Sequence, residues 1–286
     1  MHPDAWHLTD DLDDFLSRAA DFLRSRPALH TVPLTVADTL RSRGPHYYGE
    51  GELLFGTLES HGEVGAAFLH APAIGLHLTP VTPAQADALA ARLAGPGRRP
   101  VQVNAERDSA AAFVDAWRRR ADTKARVRMR QRLYRLGELT PPAALPDGRP
   151  RVVGAADRAL LVRWFGEFAE AVGEGAGRDA GAWADARISY GGITLWEAAD
   201  GTPLAMAGVS QEVAGQVRVA PVYTPAELRR RGYAGAVTAE VSRAARAAGA
   251  AEVLLFTDLA DPTSNGLYQR LGYQGVADFT VWSFTD

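Results

Sequence analysis

The residues best placed to do chemistry lie in one short loop. Arg229, Arg230, Arg231, Gly232, Tyr233 and Ala234 connect an apolar strand, read as Gln216–Tyr223, to a helix read as Tyr233–Ala248. A helix start carries unpaired backbone N–H groups and the positive end of the helix dipole. Gly232 permits a tightly folded or left-handed backbone, and the small Ala234 and Gly235 let a ligand approach the main chain. Such a loop is built to hold a diphosphate. Pro221 removes a ladder donor from the preceding strand, the mark of a bulge or a splayed edge. A splayed strand leaves backbone groups free to pair with an extended ligand.

What the chain lacks narrows the chemistry further. It contains no cysteine, so thiolate nucleophiles, disulfides and cysteine–zinc sites are excluded. The seven histidines (His2, His7, His30, His46, His61, His70, His77) all lie far upstream of the loop. His70 and His77 fall on neighbouring strands, but no third ligand accompanies them, so no metal is expected. Lys124 is the sole lysine. Carboxylates able to act as a general base, directly or through water, are Glu167, Glu170, Glu212 and Asp258.

The elements that position these residues follow from the apolar spacing. The 286 residues suffice for two units of ordinary size. The Pro- and Gly-rich stretch 139–150 reads as a linker between 1–138 and 151–286. The second half opens with a helix over Ala155–Val172, with Leu161, Trp164, Phe165 and Phe168 on one stripe. A glycine-rich loop (Gly173–Gly181) and a short segment with Trp183 and Ile188 follow. Strands are expected at Gly192–Ala198, Pro203–Glu212 and Gln216–Tyr223, then at Glu252–Asp258. A helix at Thr263–Leu271 and a strand pair, Tyr273–Val276 and Thr280–Phe284, complete this half. The first half repeats the order: helices Leu12–Ser25 and Thr35–Arg43, then strands Glu52–Ser60, Gly65–Ala71 and Ile74–Leu78. Helix Pro83–Leu93, strand Pro100–Asn104, helix Ser109–Arg120 and strand Arg126–Tyr134 come next. Thr79-Pro80 stands where the second half has Thr224-Pro225, but no arginine–glycine loop follows it. An internal duplication whose first copy has lost its ligand grip fits this pattern. The alternating Arg126, Arg128, Arg130 and Arg132 read as the solvated face or protected edge of a strand.

Two motifs in this order resemble the signatures of the GNAT acetyltransferase superfamily. The run from Arg229 to Ala234 is similar to Arg/Gln-x-x-Gly-x-Gly/Ala, and the run from Asn265 through Tyr268 and Gly272 to Tyr273 to Asn-x-x-Tyr-x-x-x-Gly-Phe/Tyr. The resemblance covers about 151–286 well and the first half by element order only. The turn between Tyr223 and Arg229 is slightly longer than the family's usual spacing. The resemblance implies an α/β fold with a mixed sheet: two GNAT-like domains, each a twisted, mostly antiparallel sheet flanked by helices, with a splayed strand pair in the second and a degenerate first. It implies acetyl-CoA bound by Val222, Tyr223, Thr224, Arg229–Ala234 and Asn265. Tyr268 would be the acid facing the departing thiolate. A backbone N–H near Val222 would meet the oxyanion, and a small-molecule or peptide amine would attack directly in a ternary complex. A non-catalytic acyl-CoA sensor and a peptide or protein N-terminal acetyltransferase are the alternatives.

A net charge of −3 argues against a general nucleic-acid binder. No apolar run reaches the ~20 residues needed to span a bilayer, and Met1–Asp10 carries no signal-peptide pattern, so a cytoplasmic protein is expected. Self-association is compatible with the composition.

Overall fold

A computed structural model describes residues 5–95, 100–173 and 179–285. The chain divides into two compact units. The first comprises Met1–Leu133, Asp258–Ala260 and Val276–Asp286, and the second Tyr134–Thr257 and Asp261–Gly275.

The first unit runs β1 (Ala5–Thr9), α1 (Leu12–Ser25), α2 (Thr31–Arg43), β2 (Leu54–Ser60), β3 (Glu63–Ala71), β4 (Gly75–Leu78), α3 (Pro83–Leu93), β5 (Gln102–Glu106), α4 (Arg107–Arg118) and most of β6 (Lys124–Leu136). The second contains β7 (Arg149–Val152), α5 (Arg158–Ala171), α6 (Ala180–Ile188), β8 (Ile193–Glu197), β9 (Pro203–Val209), β10 (Gln216–Tyr223), α7 (Tyr233–Ala247), β11 (Glu252–Asp258) and α8 (Pro262–Arg270). The last strand, β12 (Tyr273–Thr285), starts in the second unit and continues in the first.

Both units have the mixed α/β architecture read from the sequence, in the same order. In the first, β1 to β4 form an antiparallel run, and β4 pairs with β5 in parallel after the crossover through α3. In the second, β7 to β10 are antiparallel, and β10 pairs with β11 in parallel after α7. Parallel neighbours need such a crossover, and it places a helix N-terminus at the carboxyl end of the first strand.

Several details differ from the sequence reading, among them the opening strand β1, which that reading lacked. The strand pair expected after Gly272 is one continuous strand, and its distal half pairs with β5 through Phe279↔Glu106 to Ser283↔Gln102. Those residues therefore count with the first unit, and the contacts part at Leu133/Tyr134 rather than within 139–150. The stretch taken as linker ends in regular structure, because β7 begins at Arg149. Pro150 is accommodated there because β7 ends the strand order, where a missing N–H costs no ladder bond. The segment with Trp183 and Ile188 is a helix, α6, capped by Asp179, whose carboxylate accepts from the N–H groups of Gly181 and Ala182. Much of the glycine-rich loop, 174–178, lies outside the described residues.

The core of the second unit has two parts. On one face of its sheet, α7 buries Gly235, Ala236, Val237, Ala239, Val241 and Ala245, and these small side chains let the helix lie close to β8–β10. On the other, Trp164, Phe165 and Leu161 of α5 join Trp183 of α6 over Ile193, Leu195, Met206 and Tyr223, with Phe165 stacked on Trp183 at 4.2 Å between ring centroids. Behind α8 the chain passes very close to Gly272 (φ +97°). A Cβ there would lie 1.9 Å from the carbonyl oxygen of Glu138. Gly272→Ala is therefore expected to cost more than about 3 kcal/mol, seen as a loss of melting temperature. Gly249→Ala, at φ +100° with open space around it, controls for backbone conformation alone, which costs about 1–2 kcal/mol.

Candidate active site

Strands β10 and β11 pair only through Gln216–Arg218 against Glu252–Leu254. Beyond that point β10 follows β9, where the register shifts between Val219 and Val222, bracketing Pro221. The two parallel strands thus part, and Val222–Thr224 lie on the splayed portion. Thr224 Oγ1 is shielded from solvent and has no hydrogen-bond partner among the described residues.

A single 3-10 turn, Ala226–Leu228, takes up the extra length after Thr224. The loop is then folded by its own side chains. Arg229 Nε donates to Thr224 O at 3.1 Å, and Arg231 Nη2 to Glu227 O at 3.1 Å. Arg230 sits at φ +63° and Gly232 at φ +87°. Two left-handed residues within three turn successive N–H groups inward into a nest. A bulky residue such as Arg230 adopts that conformation only where the surroundings impose it.

Helix α7 begins at this nest without any side-chain cap, and its first backbone bond is Ala236 N–H to Gly232 O at 3.0 Å. The amides of α7 ahead of Ala236 have no partner among the described residues. The segment after β6 passes alongside: a Cβ on Gly232 would stand 3.8 Å from Pro146, and one on Gly235 3.7 Å from Pro142 and 3.2 Å from Leu267. That segment is held by Thr140 N–H to Leu271 O (3.1 Å) and by Trp196 Nε1–H to Asp147 O (3.2 Å).

The corresponding place in the first unit is closed by its own side chains. Thr79 bonds to Ala67 twice, accepting from its N–H at 2.8 Å and donating its own N–H to its carbonyl at 2.9 Å. Ser109 Oγ accepts from Val81 N–H at 3.0 Å and donates to Val81 O at 3.3 Å. Helix α3 starts with Pro83 and a capping box, with Thr82 N–H on Gln85 Oε1 (2.9 Å) and Gln85 N–H on Thr82 Oγ1 (3.3 Å). At the start of α3 the first helical N–H is thus absent, because Pro83 stands there, and that of Gln85 is taken.

Helix α8 carries Asn265 and Tyr268 one turn apart. Tyr268 is buried, with its ring edge-on to Tyr273 at 6.0 Å. Burial, reinforced by Tyr273 and Asp261, pushes its hydroxyl well above the usual tyrosine range. The hydroxyl stays protonated at neutral pH and so keeps a proton to donate. Asn265 is engaged within the protein: Tyr134 donates its hydroxyl to Asn265 Oδ1 at 2.9 Å, and Asn265 Nδ2 donates to Asp261 O at 2.7 Å. Tyr134 was not among the residues singled out from sequence, since nothing local marks it.

Tyr223 also departs from expectation. Its side chain turns into the α5/α6 cluster, leaving only its backbone on the splayed edge. There its hydroxyl donates to Glu167 Oε2 at 2.6 Å, and its ring lies 5.8 Å from that of Trp164. Burial, then the Glu167 carboxylate, pushes its hydroxyl up to about 12. The other carboxylates considered as bases are placed elsewhere. Glu212 caps its own turn through Gly215 N–H (2.9 Å), Glu170 is exposed on α5, and Asp258 accepts from Ala260 N–H (2.9 Å) and belongs to the first unit.

The arginine row on β6 pairs across strands rather than guarding an edge, because β6 lies inside the strand order. Arg126 donates to Ser283, Arg128 to Gln102, and Arg132 to both oxygens of Asp278. Among the described residues no group of three or more His, Asp or Glu could hold a metal ion, and no helix is long and apolar enough to cross a membrane.

Residues 204–283 match the family model of FR47-like protein, a span that includes the splayed strand, the loop and both motifs. No curated protein matches the chain in sequence. Among solved structures, a GCN5-related N-acetyltransferase from Sphaerobacter thermophilus is 20% identical, with 99% of this chain and 96% of that one covered at a TM-score of 0.61. A GNAT-family acetyltransferase from Colwellia psychrerythraea is 12% identical, with 98% and 99% covered at 0.58. A tandem GNAT protein from the clavulanic acid biosynthesis pathway is 12% identical, with 97% of each chain covered at 0.57. The chain thus has the fold of the GCN5-related N-acetyltransferases, and the FR47-like sequence pattern lies across its open loop and splayed strands.

Proposed function

We propose that the chain is an N-acetyltransferase whose second unit binds acetyl-CoA and passes the acetyl group to a primary amine by direct attack in a ternary complex. The first unit is a degenerate GNAT-like copy. The observation that carries this reading is the contrast between the two helix starts: α3 is sealed by its own cap, whereas α7 offers uncapped amides beside a splayed strand and the unpartnered Thr224 Oγ1.

The residues present fit the cofactor. The nest at Arg229–Ala234 would hold its diphosphate, the backbone of Val222–Thr224 would pair with its extended arm, and Asn265 would flank it from α8. Bound there, acetyl-CoA supplies an activated acyl group on a good leaving group. A backbone N–H near Val222 stabilises the negative charge that develops on the acyl oxygen. Tyr268 donates a hydrogen bond to the leaving sulfur. Holding both reactants side by side supplies much of the rate gain. A covalent acyl-cysteine route is closed, since the chain has no cysteine.

Calorimetry with acetyl-CoA, followed by release of free CoA in the presence of amines, tests the reading. One molecule bound per chain is expected, because only one of the two helix starts is open. Two would mean that the first unit also binds, and none would end the acetyltransferase reading.

A further inference from the structure

An amine acceptor reaches the enzyme mostly as an ammonium ion and must be held and deprotonated before it can attack. We propose that Glu167 receives this ammonium and takes its proton, with Tyr223 as its positioning residue, so that the acceptor class is a primary alkylammonium. The inference rests on the acetyl-transfer reading above.

Four observations converge on Glu167. It projects from α5, one turn after the buried Trp164, and meets β10 at the last residue of its splayed end. One carboxylate oxygen, Oε2, is fixed by the 2.6 Å bond from the Tyr223 hydroxyl. The other, Oε1, has Arg163 Nε at 3.8 Å, too far for a hydrogen bond, and its side chain keeps 41% of its surface exposed. Most other carboxylates of the second unit are committed: Glu197 and Asp157 to Arg149 and Arg151, Asp185 to Arg158, Glu240 to Arg243, Glu252 to Arg135, and Asp179 and Asp261 to helix caps. Among the described residues, Glu167 alone joins a fixed oxygen, an uncommitted oxygen and a position at the end of the parted strands.

The charged groups around it are Arg163 and Glu170 on its own helix, and Glu227 and Arg229 of the loop, whose charges both act on the Tyr223 hydroxyl. An arriving ammonium displaces the weakly held Arg163 and pairs with Oε1.

The step balances as follows. The ammonium gives one proton to Glu167, and its freed lone pair forms the C–N bond to the acetyl carbon while the C–S bond breaks. A second nitrogen proton ends on the departing sulfur, the third stays on the amide, and the half-exposed Glu167 returns its proton to water.

The test uses the full chain saturated with acetyl-CoA and a panel of primary amines (alkyl monoamines, diamines, amino sugars and short peptides), read by CoA release. Glu167→Gln is expected to lower kcat/KM for any accepted amine by about 100-fold or more, with acetyl-CoA affinity unchanged and Glu167→Asp restoring part of the loss. Tyr223→Phe is expected to raise the amine KM about tenfold while kcat stays within a factor of two. Glu167→Gln that lowers the melting temperature but leaves kcat/KM intact would overturn the assignment and make the pair purely structural. Wild type that binds acetyl-CoA yet acetylates none of the panel would overturn the alkylammonium class. Failure to bind acetyl-CoA at all would instead end the cofactor reading itself.

Discussion

Gly232→Asp is expected to weaken acetyl-CoA binding by at least ~100-fold, about 2.7 kcal/mol, without unfolding the chain. The position tolerates the side chain sterically. A Cβ there finds only ordinary contact with Pro146 at 3.8 Å, and aspartate adopts a left-handed backbone more readily than most residues. What it adds is a negative charge at a helix start, where its carboxylate can cap the free amides of α7 and repel a diphosphate. The change would give the second unit what Thr82 and Gln85 already give the first. Gly232→Asn separates the two effects, because it matches the shape and backbone preference without the charge. Calorimetry should find the asparagine variant within about tenfold of wild type. Equal losses in both variants would mean that space, not charge, is what the loop protects.

Tyr268→Phe is expected to lower kcat by about 100-fold or more while leaving acetyl-CoA affinity unchanged and stability equal or slightly raised. The prediction on stability comes from the missing partner: the hydroxyl makes no hydrogen bond among the described residues, and burial of the ring, reinforced by Tyr273 and Asp261, pushes its pKa upward. Removing that hydroxyl while keeping the ring against Tyr273 breaks no hydrogen bond between described residues. A tyrosine kept only for packing would lose nothing in kcat. A fall in activity without a fall in melting temperature is the signature that distinguishes the two roles.

The geometry of the candidate site was legible where the signals are local. The loop announces itself through residue types that only a special backbone needs, and Asn265 and Tyr268 stand in a fixed spacing on one helix. The boundaries of α1, α3 and β10 follow from Asp11, from Thr82-Pro83 and from the turns around Gly215 and Thr224, all short-range signals. What escaped is non-local. Tyr223 and Glu167 are 56 residues apart and meet only once α5 folds over β10. Tyr134 reaches Asn265 across 131 residues. The apolar residues of β12 mark a buried strand but not its neighbour, so its pairing with β5 could not be read from its pattern. Strand β7 was hidden by Pro150, which argues against a strand unless it is known to lie at a sheet edge.

The placement of β12 sets an order on biosynthesis. Leu133 leaves the peptidyl-transferase centre 143 residues before Val276, an interval of about 7–30 s at 5–20 residues per second. Throughout it, the unit begun first lacks the strand that sits between β5 and β6, and its β5 edge stays open to unwanted pairing. The half that starts folding earliest is therefore the half completed last, and a nascent chain stalled within the second unit exposes a defect in the first.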